Sequence, residues 1–459
     1  MKQLFSLLSI ALLLTNVNAY SQNNAGWQNI FDGKTLNGWK KLGGKAEFRV
    51  ENGVIIGSTV ANSEGNTFLC TEKEYSNFIL ELDIKVDDST SNSGIQFRSH
   101  YDAAGNEGKG KVYGYQYEID PSARKWSAGI YEEGRRGWLY PVSMNPNAKN
   151  AFHLGQYNHV KLECIGIEIK TWINDIPVAY LIDTLDTKGF FGLQVHTIGS
   201  DEKLAGEKIY FKNIRIKTSS LQPTTFPQGI YVVNNITNSL CRYEKESGWK
   251  LLFDGKTSAG WKGAYKPGFP EQGWQIKDGV LTVLATEGKE GGSAGGDIVT
   301  IDQYHAFDLS FEFKLTPGAN SGVKYFVTLS EHNPGSAIGL EYQLLDDSLH
   351  PDAKLGRDGD RTLSSLYDLI KADKSKNFIH PIGEWNTGRI IVYPNNHVEH
   401  YLNGVKVLEY ERGSKEYRNL VAISKYKVWK DFGEAKEGHI LLQDHGNEVS
   451  FRSIKIRGL

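Results

Sequence analysis

The sequence predicts an all-β protein built from two tandem β-sandwiches, and three observations carry that prediction. Glycine (49 residues) and aromatic residues (10 Trp, 23 Tyr, 20 Phe) are abundant among 459 residues, beside only 2 Met; glycine serves tight turns and aromatic residues favour strands. Short runs alternate apolar and polar residues with period two, as in Phe78-Ile79-Leu80-Glu81-Leu82-Asp83-Ile84-Lys85 and Phe307-Asp308-Leu309-Ser310-Phe311-Glu312-Phe313-Lys314. That is the signal of a strand with one buried face. Finally, a series of motifs occurs twice in the same order, each series spanning a whole domain.

From the N-terminus, Lys2 precedes an apolar run from Leu4 to Leu14 and the small-residue segment Val17-Asn18-Ala19. This is the pattern of a cleaved secretory signal at 1–19, too short to span a bilayer. No Cys lies at the break and no second long apolar run follows, so an exported protein, periplasmic or secreted, is expected, with neither a lipid anchor nor a transmembrane segment. The first copy runs over 26–218. Residues 219–247, with Pro223, Pro227 and an Asn/Thr/Ser-rich stretch, read as a linker. The second copy occupies 248–459.

The copies are matched motif by motif. Ile30-Phe31-Asp32-Gly33-Lys34-Thr35 with Gly38-Trp39-Lys40 returns as Leu252-Phe253-Asp254-Gly255-Lys256-Thr257 with Gly260-Trp261-Lys262. Asn52-Gly53-Val54 answers to Asp278-Gly279-Val280, Asn92-Ser93-Gly94 to Asn320-Ser321-Gly322, and Trp172-Ile173-Asn174-Asp175 to Tyr401-Leu402-Asn403-Gly404. Phe211 to Ile216 and Phe451 to Ile456 close the series. Long helical patterns are few; Thr362 to Lys371 is the best short one.

Composition narrows function. The balance of 52 basic and 54 acidic side chains excludes a dedicated nucleic-acid binder, which needs a basic excess to neutralise phosphates. An apolar content of 39% excludes disorder. Cys70, Cys164 and Cys241 are odd in number and widely spaced, giving no disulfide framework and no paired metal-ligand pattern. They read as small buried residues.

Period two also sorts side chains by face. In the second copy Lys324, then Glu341 with Gln343, and Gln443 with His445 fall on the polar faces of their strands. In the first copy Gln96 with Arg98, then Gln116 with Glu118, and Gln194 with His196 do so, with acid and amide exchanged. Such a face is either plain solvated surface or a site. Trp126, Tyr131, Trp138, Arg135 and Arg136 could rim it in the first copy, and Tyr367, His350 and His400 in the second. Aromatic faces among planar polar groups suit sugar rings, although the same aromatics could be core residues. Asp346, Asp347, His350 and Asp352 could bind Ca²⁺ through carboxylates or a transition metal through His, or could simply hydrogen-bond a loop.

These motifs, with Gly339-Leu340-Glu341-Tyr342-Gln343, Gly383-Glu384-Trp385-Asn386 and Leu442-Gln443-Asp444-His445-Gly446, give a chain that resembles the 3-keto-disaccharide hydrolase domain family of secreted bacterial proteins. The first copy is similar to a different branch, marked by Gly114-Tyr115-Gln116-Tyr117-Glu118 and Gly134-Arg135-Arg136-Gly137-Trp138. It departs at the exchanged Glu and Gln, at Asp175 for Gly404, and at Val195 for Asp444. The resemblance implies two concanavalin A-like jelly rolls and a hydrolase or lyase acting on glycosides already oxidised at C3 by a separate oxidoreductase. A C3 ketone acidifies the C2 proton; a base removes it, cations or donors hold the enolate, and the C1 substituent is eliminated. Direct hydrolysis would use two carboxylates across the bond, whereas each polar face carries one.

On this reading Glu341 and His445 are the base and acid, Lys324 stabilises the enolate, and Gln343, Gln443, His350 and Tyr367 bind substrate. The first-copy counterparts are Glu118, His196 and Arg98, with Gln116, Gln194, Trp138 and Arg136 binding. The route requires no cofactor, and the residue types would permit a divalent cation. The alternatives are a non-catalytic carbohydrate-binding sandwich, or one catalytic and one binding copy.

Overall fold

The computed structural model describes residues 26–286, 295–330, 332–333, 336–375 and 379–459; the expected signal at 1–19 lies outside them. Each copy is a sandwich of two mainly antiparallel sheets, and the site sits on one of them. In the second copy that sheet runs Trp261–Gly263, Ile298–Thr300, His439–Leu442, Asn320–Val327, Leu340–Leu345 from edge to edge. In the first copy the same order is Trp39–Gly43, Thr67–Thr71, Phe190–Val195, Ser93–Asp102, Lys111–Ile119, extended by Ile130–Glu133 and Gly137–Tyr140. The facing sheets are centred on Phe78–Val86 and Phe307–Leu315. Their alternation is the one the sequence predicts: Phe78, Leu80, Leu82, Ile84 and Val86 enter one core, and Phe307, Leu309, Phe311, Phe313 and Leu315 enter the other.

The repeated motifs prove to be structural devices. Asp32 accepts from the backbone N–H groups of Lys34 and Thr35 and from Thr35 Oγ1, each at 2.7 Å, and Asp254 does the same with Lys256 and Thr257. The Trp39 indole then donates to Ile30 O (3.0 Å) and Trp261 to Leu252 O (2.5 Å), pinning each opening loop to its sandwich. Asn52-Gly53 and Asn403-Gly404 turn hairpins with both residues at positive φ, the geometry of a two-residue turn whose twist matches its strands. Asp175 keeps that geometry at φ 62°, because a short polar side chain tolerates it. Its difference from Gly404 therefore leaves the hairpin intact.

Residues 219–247, read as a linker, dock on the first copy: Val233–Asn234 adds in parallel to the edge strand Ile176–Ile182, and Phe226, Val232 and Tyr243 pack on Trp172 and Tyr180. A short helix, Arg242–Glu246, carries Glu244, which accepts from Lys455 Nζ at 2.5 Å. Thr362 to Lys371 forms no helix. Ser364 and Asp368 take positive φ, and the segment folds back so that Leu366 bridges both Tyr342 and Ile370. The longer helix is instead Lys415–Ile423, capped by Ser414 Oγ.

The three cysteines are free. Burial pushes the Cys164 thiol up to about 12 and Cys241 to about 11, and raises Cys70 as well; Cys70 and Cys164 are small buried residues as expected, whereas Cys241 is only half-buried at the start of the short helix. No helix among the described residues is long and apolar enough to cross a membrane.

Candidate active site

The second copy gathers Lys324, Glu341, His350, Tyr367, Gln443 and His445 around one cavity of about 450 Å³, within the size range of small-molecule sites. Lys324 and Glu341 are direct cross-strand partners, so their side chains rise side by side from the sheet. Gly322 makes room for them. A Cβ there would lie 2.4 Å from Glu341 Oε1, so the glycine lets the carboxylate lie across the neighbouring strand. Ser321 Oγ donates to Gln443 O at 2.9 Å and locks the next strand in register. Asn320 Nδ2 stands 3.3 Å from His445 Nε2. The Asn-Ser-Gly motif thus spaces the acid, fixes the strand that carries the amide, and touches the imidazole.

Gln343 lies beneath this surface and is fully buried. Its amide can donate to Asn320 Oδ1 (3.2 Å) or, turned over, to Glu341 Oε1 (3.1 Å); it supports the site instead of facing the cavity. Gln443 does face it. Among the described residues its Oε1 is buried without a hydrogen-bond partner, an acceptor open to a donor from water or a ligand in the cavity. Asp297 lies below, accepting from Asp444 N (2.9 Å) and Ala337 N (3.2 Å). Burial raises its pKa against the pull of Lys324.

The outer wall was not foreseen from the sequence. Lys425, Tyr426, Val428 and Trp429 line the cavity from the long connection 412–438, whereas the first copy joins the equivalent strands through 183–189. Lys425 reaches 4.1 Å above the Tyr367 ring. Lys425 remains exposed, but the side chains packed round it partly desolvate its ammonium and lower its pKa, with Glu341 opposing and Lys324 adding to the shift. The extra length between matched strands was the available signal. Asp352 also lines the cavity but is consumed by Tyr367 (2.7 Å) and Arg361 (2.9 Å).

The proposed cation cluster resolves into loop bonds. Asp346 accepts from Gly318 N, Ser348 and Leu349 N, Asp347 from Leu363 N and Lys374, and His350 Nδ1 from Asp352 N. His350 lines the cavity, with its pKa lowered by burial and by nearby His445. His400 does not rim the site: it is buried between Tyr325 (2.8 Å) and Ser364 O (3.1 Å) and held down to about 4 by burial.

The first copy differs in kind. Strand register makes Gln96, not Arg98, the counterpart of Lys324: Gln96 pairs with Gln116 as Lys324 pairs with Glu341. Arg98 lies on a bulge at φ 46°, as Phe326 does at φ 55°, and a bulge re-aims its side chain. Its guanidinium is fully buried and donates to Ser76 O and Gly166 O, so it cannot meet a substrate on the polar face. There Gln96 and Gln194 both donate to Gln116 Oε1 (2.5 and 3.0 Å), and Gln116 and Asn92 donate to Glu118, each at 2.7 Å. Burial raises the Glu118 carboxyl to about 7. His196 Nδ1 lies 2.8 Å from Thr197 O. Arg136 and Trp138 instead line a cleft of about 300 Å³ between the copies, Arg136 being paired with Glu132 and Asp183.

The second copy thus sets a buried carboxylate and a buried lysine, an exposed second lysine and two half-buried imidazoles around one cavity of sugar size, an arrangement suited to a carbohydrate ligand. The chain belongs to the 3-keto-alpha-glucoside-1,2-lyase-like domain family, which matches residues 26–217 and 248–457. It is 37% identical over 232 residues, 46% of this chain and 79% of the relative, to a 3-keto-disaccharide hydrolase of Bacteroides thetaiotaomicron. A solved glycosyl hydrolase candidate from Parabacteroides distasonis is 31% identical over 49% of this chain and 99% of its own, with a TM-score of 0.42. The carbohydrate-binding module CBM66 from Bacillus subtilis is 20% identical over 39% of this chain and 95% of its own, with a TM-score of 0.28. The family and the hydrolase relative place the chain among enzymes of the glycoside-cleaving type.

Proposed function

We propose that the second copy cleaves 3-keto-glycosides by elimination across C1 and C2. Glu341 takes the C2 proton; the electron pair moves onto the C3 oxygen, where Lys324 and Lys425 offset the enolate charge. The pair then returns to expel the C1 substituent, protonated by His445, leaving a 1,2-unsaturated 3-ketone. Release of that product is the lyase outcome, and addition of water at C1 gives net hydrolysis. Gln443 Oε1 and His350 are the hydrogen-bonding groups for sugar hydroxyls. The observation that carries the reading is one carboxylate opposite one lysine in a single cavity, with the other lining carboxylate among the described residues, Asp352, tied to Arg361 and Tyr367. Direct glycosidic hydrolysis calls for a second available carboxylate.

The test is incubation with a 3-keto-glucoside and its unoxidised parent. Release from the keto compound alone is expected, with turnover at least about a hundredfold lower in Glu341→Gln, the scale of a lost general base. Release from neither compound sinks the proposal, and saturable glycan binding without release would mark a binding module. A division of labour is favoured by the first copy's face, where Gln96 replaces the lysine and the amides satisfy one another. Accordingly Glu118→Gln should leave turnover intact. On this reading the N-terminal apolar run exports the protein, and a C3 oxidoreductase supplies its substrate; the mature chain should then begin at Tyr20.

A further inference from the structure

The cavity of the second copy has a polar floor and a mouth where apolar side chains stand beside the exposed Lys425. Leu355 and Val428 line it together with Glu341 and Lys324, yet they are 55% and 73% exposed. Pro351, Ile338 and Trp429 complete the apolar side. Single exposed apolar side chains need no explanation, but several converging on one cavity entrance mark a binding surface. Val428 and Trp429 come from the 412–438 connection, which the first copy replaces with 183–189, so the mouth accompanies the lysine-bearing site.

We propose that this mouth is the subsite for the departing C1 substituent and that it selects apolar substituents, alkyl or aryl. The inference rests on the reading of Glu341 and Lys324 as a 3-keto-glycoside site. With the sugar ring on the floor, where Gln443 Oε1 and His350 can meet its hydroxyls, the departing group lies on the solvent side, against Leu355 and Val428. Apolar surface placed there leaves water at both partners. A hydroxyl-bearing group placed there would keep polar atoms facing side chains that cannot bond them.

The test compares methyl and hexyl 3-keto-glucosides in both anomeric configurations. Both release simple alcohols, so the bond broken is alike and only apolar reach differs. For the cleaved anomer, kcat/KM is expected on the order of tenfold higher for the hexyl compound, the scale of a few apolar contacts. In the double variant Leu355→Asp, Val428→Asp, with folding checked by melting temperature, the hexyl-to-methyl ratio should fall toward one. Equal rates in the parent protein would overturn the apolar subsite while leaving the floor chemistry standing. An unchanged ratio in the variant would overturn the assignment to these two residues. Cleavage of neither compound would overturn the floor reading and the subsite with it.

Discussion

At the residue scale, the outcome turns on which groups have room and which have partners. Gly322 is the sharpest case. An alanine methyl there would press on Glu341 Oε1 at 2.4 Å, so Gly322→Ala should cost about 1–3 kcal/mol in denaturant unfolding, as overpacking does, and lower kcat/KM at least tenfold. The matched Gly94→Ala would crowd Gln116 and should cost similar stability without the loss of turnover. Glu118 supplies a pH signature. Its folded pKa of about 7 lies above the ordinary 4.5, so the folded state holds the extra proton between those values. Stability from this group is therefore fully present below 4.5 and falls as pH rises to 7, by on the order of 3 kcal/mol. Glu118→Gln should flatten the melting temperature between pH 5 and pH 8; an unchanged pH dependence would contradict the shift. Lys324, Glu341, Gln443 and His445 were legible from strand alternation and the repeat. Arg98 was misread because a bulge breaks the two-residue period, and nothing in the local residue types announces one.

At the element scale, the decisive difference between the copies is the 412–438 connection. Arg412 holds it: Nη1 donates to Gly433 O (2.9 Å) and Ala435 O (2.8 Å), while the guanidinium stacks 3.9 Å from the Phe326 ring. The Tyr426 and Phe432 rings stack at 3.9 Å beneath the cavity wall. Arg412→Met should loosen this wall and raise KM several-fold with a smaller effect on kcat, with faster proteolysis within 412–438 as the structural readout. An unchanged KM would show that the wall does not hold substrate. The sequence displayed the extra length but not its position, because strand order decides which loops meet over a sheet face.

At the scale of the whole molecule, 219–247 joins the copies through polar contacts. Asn238 bonds Gly279 O and Ser453 N at 2.7 Å, Tyr231 meets Ser310 at 2.9 Å, and Glu244 is buried against Lys455. Removing one member of a buried pair strands the other charge. Lys455→Met should therefore destabilise the protein by about 3–5 kcal/mol, read as a lower melting temperature, whereas an unaltered melt would mean the joint carries no stability. The sequence by itself determined the duplication, the all-β class and which residues alternate toward each face, because those follow from local periodicity. Only the tertiary structure decided that the lysine and carboxylate face each other in one copy, that an arginine turns inward in the other, and that a distant connection walls the cavity. Those outcomes depend on register, bulges and strand order, which are set by packing between segments far apart in the chain.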